Sequence, residues 1–373
     1  MSTRQNNLFA ALRPLSFAAA VTAAFLSSAP LAQANPHILV DVQSGRVLEH
    51  EEAFTKWYPA SLTKLLTIYT TFEAVRSGQI SFDTPIVMSK RAASQPPAKM
   101  YFKPGQKLTL DSAIKILIVK SANDIAVAVA EAVGGTQEAF VMRMNAEAKK
   151  LGMTDSHFIN PNGLPGKGQY TTARDLAVLA VALRRDFPEY AGYFSVEGIT
   201  TGKQNIPAIN VLIGRFAGAD GMKTGFICAS GFNQVSSATR NGRTLISVVL
   251  GTDSLAARAD DSADLLQKGF TTAATSNDTL SSLKPYGPGQ DQVADMTADI
   301  CSTKGAKVRS ETRDEVGRMK VLSPYIQERD HEPSFVYAGL IPGQDAPPSK
   351  VAKADEIGDI ANVPVPVPRP ASF

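Results

Sequence analysis

The 373-residue chain has only two cysteines, Cys228 and Cys301, and four histidines, His37, His50, His157 and His331. Two thiols exclude a disulfide-dense scaffold and any zinc or iron–sulfur centre built on four thiolates. The histidines stand apart, with no H-E-x-x-H and no C-x-x-C, so neither a metal nor another cofactor is expected. An excess of charge of one sign is missing too. The 38 Lys+Arg against 35 Asp+Glu leave a net charge of +3, which argues against a polybasic nucleic-acid binder. Long apolar runs are absent after the first 34 residues, so no later segment is expected to span a membrane. What is present, 44% hydrophobic residues, suffices for a packed core and for more than one domain.

The first 34 residues read as an address. Arg4 and Arg13 are the only charges before a nearly apolar run over 15–26, and small residues follow, ending in Ala32-Gln33-Ala34. That is the pattern of a cleaved signal peptide; the run is too short for a span of ~20 residues. The exported chain then opens with a hairpin over 38–50 and a helix over 61–76, with Leu62, Leu65, Tyr69 and Phe72 on one face. Helices are predicted near 111–119, 123–133, 136–151, 172–185 and 253–267. Between the last two, 231–251 alternates as two strands joined by Asn241-Gly242, a strong hairpin signal. Strands at both ends of a helical block imply an α+β fold with an antiparallel sheet. The boundaries expected are a signal peptide 1–34, a main domain 35–275, a small polar region 276–344 with weak strands near 319–323 and 334–341, and a Pro-rich, disordered tail 345–373.

Three short motifs carry chemistry. In Pro59-Ala60-Ser61-Leu62-Thr63-Lys64, a serine and a lysine one helical turn apart place a hydroxyl and an amine on one face. A desolvated lysine can act as base toward such a serine. Alone the pattern is weak, because Ser112/Lys115 and Ser281/Lys284 repeat it and a serine there can be a mere N-cap. Its company is what counts: Ser121-Ala122-Asn123 and then Lys223-Thr224-Gly225 follow in order. S-x-x-K, S-x-N and K-T-G together are the signature of penicillin-recognising serine enzymes. In this reading Ser61 attacks an acyl carbon, Ser121 relays a proton, and Asn123 offers an amide to the substrate. Lys223 supplies a fixed positive charge, while Thr224 and Gly225 form an edge for an extended substrate. The oxyanion hole is expected from the backbone N–H groups of Ser61 and Phe226.

From about His37 to Phe270 the chain resembles the low-molecular-mass D-alanyl-D-alanine carboxypeptidases, the penicillin-binding serine DD-peptidases. The resemblance extends to Asn160-Pro161-Asn162-Gly163-Leu164, to Gln169-Tyr170-Thr171-Thr172-Ala173-Arg174-Asp175, and to Asp220-Gly221-Met222 before the K-T-G. It also takes in Ala229-Ser230-Gly231-Phe232. It implies a β-lactamase/transpeptidase-like fold, a five-stranded antiparallel sheet flanked by helices plus an all-helical region, with the site between them. It implies removal of the terminal D-alanine from peptidoglycan stem pentapeptides in the periplasm, with β-lactam antibiotics as covalent inhibitors. Arg258 is the matching position for a basic residue holding the substrate carboxylate. Arg174 and Asp175 are expected to form a structural ion pair and cap.

Two departures bear on this. The tail alternates valine with proline over 363–368 and cannot form an amphipathic membrane-lying helix, so no stable membrane anchor is expected. Cys228 has no family role; it pairs with Cys301 or stays a small buried thiol. The rival readings are a class A-like β-lactamase, a DD-endopeptidase and a non-catalytic penicillin-binding sensor. The first lacks support, since no glutamate between Ser121 and Lys223 is followed four residues later by asparagine.

Overall fold

The Asn241-Gly242 turn, with both turn residues at positive φ (51° and 75°), builds the central hairpin of the fold, and its two strands, Gly231–Arg240 and Arg243–Thr252, are buried along nearly their whole length rather than on alternate residues as expected. The computed structural model describes residues 1–2, 35–272, 277–287, 290–311, 314 and 319–343. The signal segment, apart from its first two residues, and the tail 345–373 therefore lie outside the described residues. In chain order the strands are β1 (His37–Asp41), β2 (Val47–Glu51), β3 (Pro85–Val87), β4 (Lys107–Thr109), β5 (Gly198–Thr200), β6 (Asn205–Pro207), β7 (Ala219–Ile227), β8 (Gly231–Arg240), β9 (Arg243–Thr252) and β10 (Val336–Tyr337). The helices are α1 (Thr63–Arg76), α2 (Lys90–Ala93), α3 (Leu110–Val119), α4 (Asn123–Gly134), α5 (Gln137–Leu151), α6 (Ala173–Asp186), α7 (Leu255–Thr271), α8 (Thr297–Ile300) and α9 (Thr303–Glu311).

The main sheet is antiparallel with five strands in the order β2-β1-β9-β8-β7. Its outer strand β7 carries the K-T-G. Helix α7, capped by the Ser254 hydroxyl, packs on β8 and β9, and α1, α3, α4 and α5 form the helical region. Among the described residues no single helix is long and apolar enough to cross a membrane.

Helix α1 departs from the one-faced pattern predicted for it. It is buried almost all round, from Thr63 to Phe72. Central position overrides amphipathicity here. Thr67 Oγ1 donates to Pro161 O at 2.7 Å and Thr71 Oγ1 to Thr67 O at 2.8 Å, whereas the buried Thr63 and Thr70 hydroxyls have no hydrogen-bond partner among the described residues.

The polar region after 276 is not a separate sheet. Thr279 bridges to Arg46, Ala294 bridges to Trp57, and α8 and α9 stand where no helix was expected. Of the two weak strands, Val336–Tyr337 forms, pairing parallel with β5, while among the described residues 319–323 shows a single bridge residue, Met319. The segment 319–323 is held instead by Asp260, which accepts from the N–H groups of Leu322 and Ser323. Cys228, just beyond β7, forms a disulfide with Cys301, at a Cα separation of 5.5 Å. It staples this region to the end of the K-T-G strand.

Candidate active site

Ser61 lies in a single 3₁₀ turn, Ala60–Leu62, that runs into α1. It is not an N-cap: neither that turn nor α1 has a side-chain cap. Ala60, just before it, sits at φ +47°, and Ser121, on the facing loop, at φ +62°. Non-glycine residues in the left-handed region store strain, and two of them flank one site.

The turn is clamped from three sides. Trp57 and Thr171 exchange backbone hydrogen bonds of 2.8 and 2.9 Å, and the Trp57 indole donates to Ser230 O at 2.8 Å. Gly163, at φ +85°, packs so closely that a Cβ there would stand 1.8 Å from Ala60 O. A Cβ on Gly225 would meet Ser61 N at 3.1 Å and Leu62 N at 3.2 Å. The glycines of N-x-x-G-L and of K-T-G are therefore both there to let backbone approach the serine.

Lys64 is fully buried and its ammonium has three partners. Nζ donates to Ser61 Oγ at 2.9 Å, to Asn123 Oδ1 at 2.9 Å and to Asn162 O at 2.6 Å. Burial pushes its pKa down to about 7, opposed by the nearby Asp124 carboxylate. Asp124 is itself buried and accepts from the N–H groups of Met100 and Tyr101 at 2.9 and 3.1 Å.

Lys223, 1% exposed, donates to Ser121 Oγ at 2.9 Å and to Thr224 O at 2.8 Å. Burial first, then Lys64 and Arg258, drive its pKa well below the ordinary lysine range. The permanent charge expected of Lys223 is thus not what its surroundings favour. The role expected of Asn123 also changes. Its amide nitrogen already donates to Pro96 O at 3.1 Å and Pro97 O at 3.2 Å, so it holds Lys64 and a loop rather than offering donors to a substrate.

Arg258, from α7, reaches the K-T-G strand. It is buried, donates to Gly225 O at 3.3 Å and stands over the Phe232 ring, while its Nη2 has no hydrogen-bond partner among the described residues. Desolvation lowers its pKa to about 9. Thr224 is buried beside Lys223, and Phe226 follows Gly225 with its ring 4.2 Å from that of Phe232.

Other motif residues are scaffolding. Asp220 pairs with Arg184 at 2.7 Å and accepts from Ser237 and Thr239, pinning β7 to α6 and β8. Arg174 pairs with the buried Asp175 at 2.9 Å, and Thr172 caps α6 by accepting from Asp175 N. Sequence reasoning assigned no role to Asn162, Asp124 or Gln95, whose Oε1 accepts from Asn162 Nδ2 at 2.9 Å. Only Asn162 carried a signal, its place in the N-P-N-G-L stretch.

Comparisons with known proteins bear on the family and the fold. Residues 23–254 match a family described as D-alanyl-D-alanine carboxypeptidase. The chain is 39% identical over 264 residues to the Escherichia coli D-alanyl-D-alanine carboxypeptidase DacC, a match covering 69% of this chain and 65% of that relative's length. Its fold is similar to the crystal structure of the carboxypeptidase DacD from Francisella tularensis, with TM-score 0.61 and 34% identity over 63% of this chain and 70% of that one. It is also similar to an ampicillin-bound penicillin-binding protein from Listeria monocytogenes, with TM-score 0.57 and 30% identity over 64% of this chain and 98% of that one.

Proposed function

The chain belongs to the D-alanyl-D-alanine carboxypeptidase family, and we propose on that footing that it removes the terminal D-alanine from peptidoglycan stem pentapeptides through an acyl-enzyme on Ser61. The observation that carries this is the buried Lys64 amine, 2.9 Å from Ser61 Oγ and titrating at about 7. At that value a large share is neutral near physiological pH, the condition for a general base.

The steps follow from the contacts. Neutral Lys64 takes the Ser61 hydroxyl proton as Oγ bonds to the carbonyl carbon of the penultimate D-alanine. The oxyanion sits against the backbone N–H groups of Ser61 and Phe226. Ser121, hydrogen-bonded to Lys223, passes a proton to the departing D-alanine nitrogen as the C–N bond breaks and is reprotonated at the expense of the Lys64 ammonium, which returns Lys64 to the neutral amine. Lys64 then takes a proton from water as the water oxygen bonds to the ester carbon, and gives that proton to Ser61 Oγ as the C–O bond breaks, freeing the stem peptide and Ser61. The substrate's terminal carboxylate is held by Lys223 and the unpartnered Nη2 of Arg258, and its arrival makes the Lys223 ammonium favourable again. Thr224 and Gly225, on the free edge of β7, line the extended peptide.

A β-lactam acylates Ser61 in the same way, as its strained amide opens and the tethered leaving group blocks water. The leader-like first 34 residues support a periplasmic site of action, where this substrate lies. Incubating purified protein with a pentapeptide muropeptide and with a cross-linked dimer tests the reading. Release of D-alanine from the first supports it; cleavage of the dimer alone assigns an endopeptidase, and neither product assigns a sensor.

A further inference from the structure

Lys64 as a base needs its lone pair aimed at Ser61. The neutral amine has two N–H groups, and two fixed acceptors face it besides the serine: Asn123 Oδ1 at 2.9 Å and Asn162 O at 2.6 Å. With those two occupied, the remaining direction, toward Ser61 Oγ at 2.9 Å, is left to the lone pair. What holds the two acceptors therefore decides where the base points.

Both are held by one short stretch. Asn123 is oriented by its two donations to the carbonyls of Pro96 and Pro97. Asn162 is tied through its own amide to Gln95 Oε1 at 2.9 Å. Gln95 is in turn secured from α2: its backbone N–H donates to Ala92 O and its Nε2 to Arg91 O at 3.2 Å. Asn123 N also donates to Ala98 O at 2.7 Å. The chain from Gln95 to Ala98 thus joins the S-x-N loop to the N-P-N-G-L loop across the base, although the hydrogen bonds of Lys64 go to Ser61, Asn123 and Asn162 and not to this stretch.

We propose that Gln95-Pro96-Pro97 is the positioning element of the catalytic base, with Gln95 as the side chain that sets the Asn162 carbonyl against Lys64. The proposal rests on Ser61 and Lys64 being nucleophile and base. Gln95 acts through Asn162 and is not itself a catalytic residue. Its neighbouring prolines suit the task, since their fixed φ limits the wander of the two carbonyls that hold Asn123.

The test is the rate of acylation by a fluorescent penicillin, measured on both sides of pH 7, for the full chain and for Gln95→Leu and Gln95→Glu. The charged groups facing Lys64 are Asp124 and Lys223, with Arg258 acting on Lys223, and none of them is altered. Gln95→Leu frees Asn162, so the plateau rate falls about tenfold, the worth of one ordinary hydrogen bond. The midpoint also moves to lower pH, because the Lys64 ammonium loses a well-placed acceptor. Gln95→Glu still accepts from Asn162 Nδ2, so it restores most of the plateau and moves the midpoint to higher pH by adding negative charge. Unchanged plateau and midpoint in both variants overturn the proposal. So does an equal slowing of both that follows loss of folded protein by circular dichroism with the midpoint unmoved. If the unaltered protein gives no adduct on Ser61, the nucleophile assignment fails, and the proposal with it; if it acylates normally while both variants match it, only the role of Gln95 fails.

Discussion

Lys64 shows what one residue demands of its surroundings. Its low pKa comes from burial, and burial of an amine is tolerated because three acceptors face it. Acylation should therefore rise with pH through about 7 and level off above it, as Lys64 loses its proton. Lys64→Arg should slow acylation by about 10²–10⁴, since arginine keeps its proton, whereas Lys223→Arg should retain a measurable part of the rate. Equal, small effects of the two substitutions would contradict the roles assigned to both lysines.

The same shift has a consequence for stability. A lysine whose pKa is lowered by folding binds fewer protons folded than unfolded, between about 7 and the unfolded value of about 10.4. Its penalty on the fold is complete below about 7 and fades as pH rises through that window. Urea unfolding should show the advantage of the wild type over Lys64→Met growing from neutral to alkaline pH; a gap that narrows instead would contradict the shift.

At the scale of elements, the nucleophile turn is built by contacts between loops. Gly163→Ala would put a Cβ 1.8 Å from Ala60 O at a φ of +85°. It should therefore cost more than ~1 kcal/mol of stability and slow acylation as the Ser61 turn shifts. A Gly163→Ala protein with unchanged Tm and acylation rate would show that the loop does not hold the turn.

Much of this scale was readable in advance. Helices α3, α4 and α5 begin and end within one or two residues of their predicted bounds, because apolar spacing and caps such as Thr109 and Thr136 mark them. S-x-x-K, S-x-N and K-T-G were readable because proton transfer tolerates few side-chain types. The layer behind them was not. The acceptors that orient Lys64 and Asn123 include the backbone carbonyls of Asn162, Pro96 and Pro97, and a carbonyl leaves no mark on residue identity. Helix α1 misled for a related reason: a helix at the centre buries threonines that a surface helix would expose. The short helices after 296 were hidden by their polar composition.

For the molecule as a whole, the disulfide and the polar region after 276 act together. Cys228 and Cys301 are 73 residues apart in sequence, so their bond constrains the unfolded chain strongly and should contribute about 2–4 kcal/mol. Cys228→Ser with Cys301→Ser should lower Tm by several degrees while leaving Ser61 reactive, because the site's own contacts lie elsewhere. A double variant as stable as the wild type would show that the staple holds nothing. The tail is expected to be dispensable for chemistry: deleting 345–373 should leave acylation and fractionation unchanged, and a protein that pellets with membranes only when the tail is present would contradict that expectation.

Ser61 as the acylated residue is the claim on which the rest depends, and mass spectrometry after exposure to a penicillin tests it most directly. One adduct is expected, on the peptide containing Ser61, and none in a Ser61→Ala protein. That protein should fold as the wild type does, since Ser61 caps no helix. An adduct on any other peptide, or none on a folded wild-type sample, would contradict it.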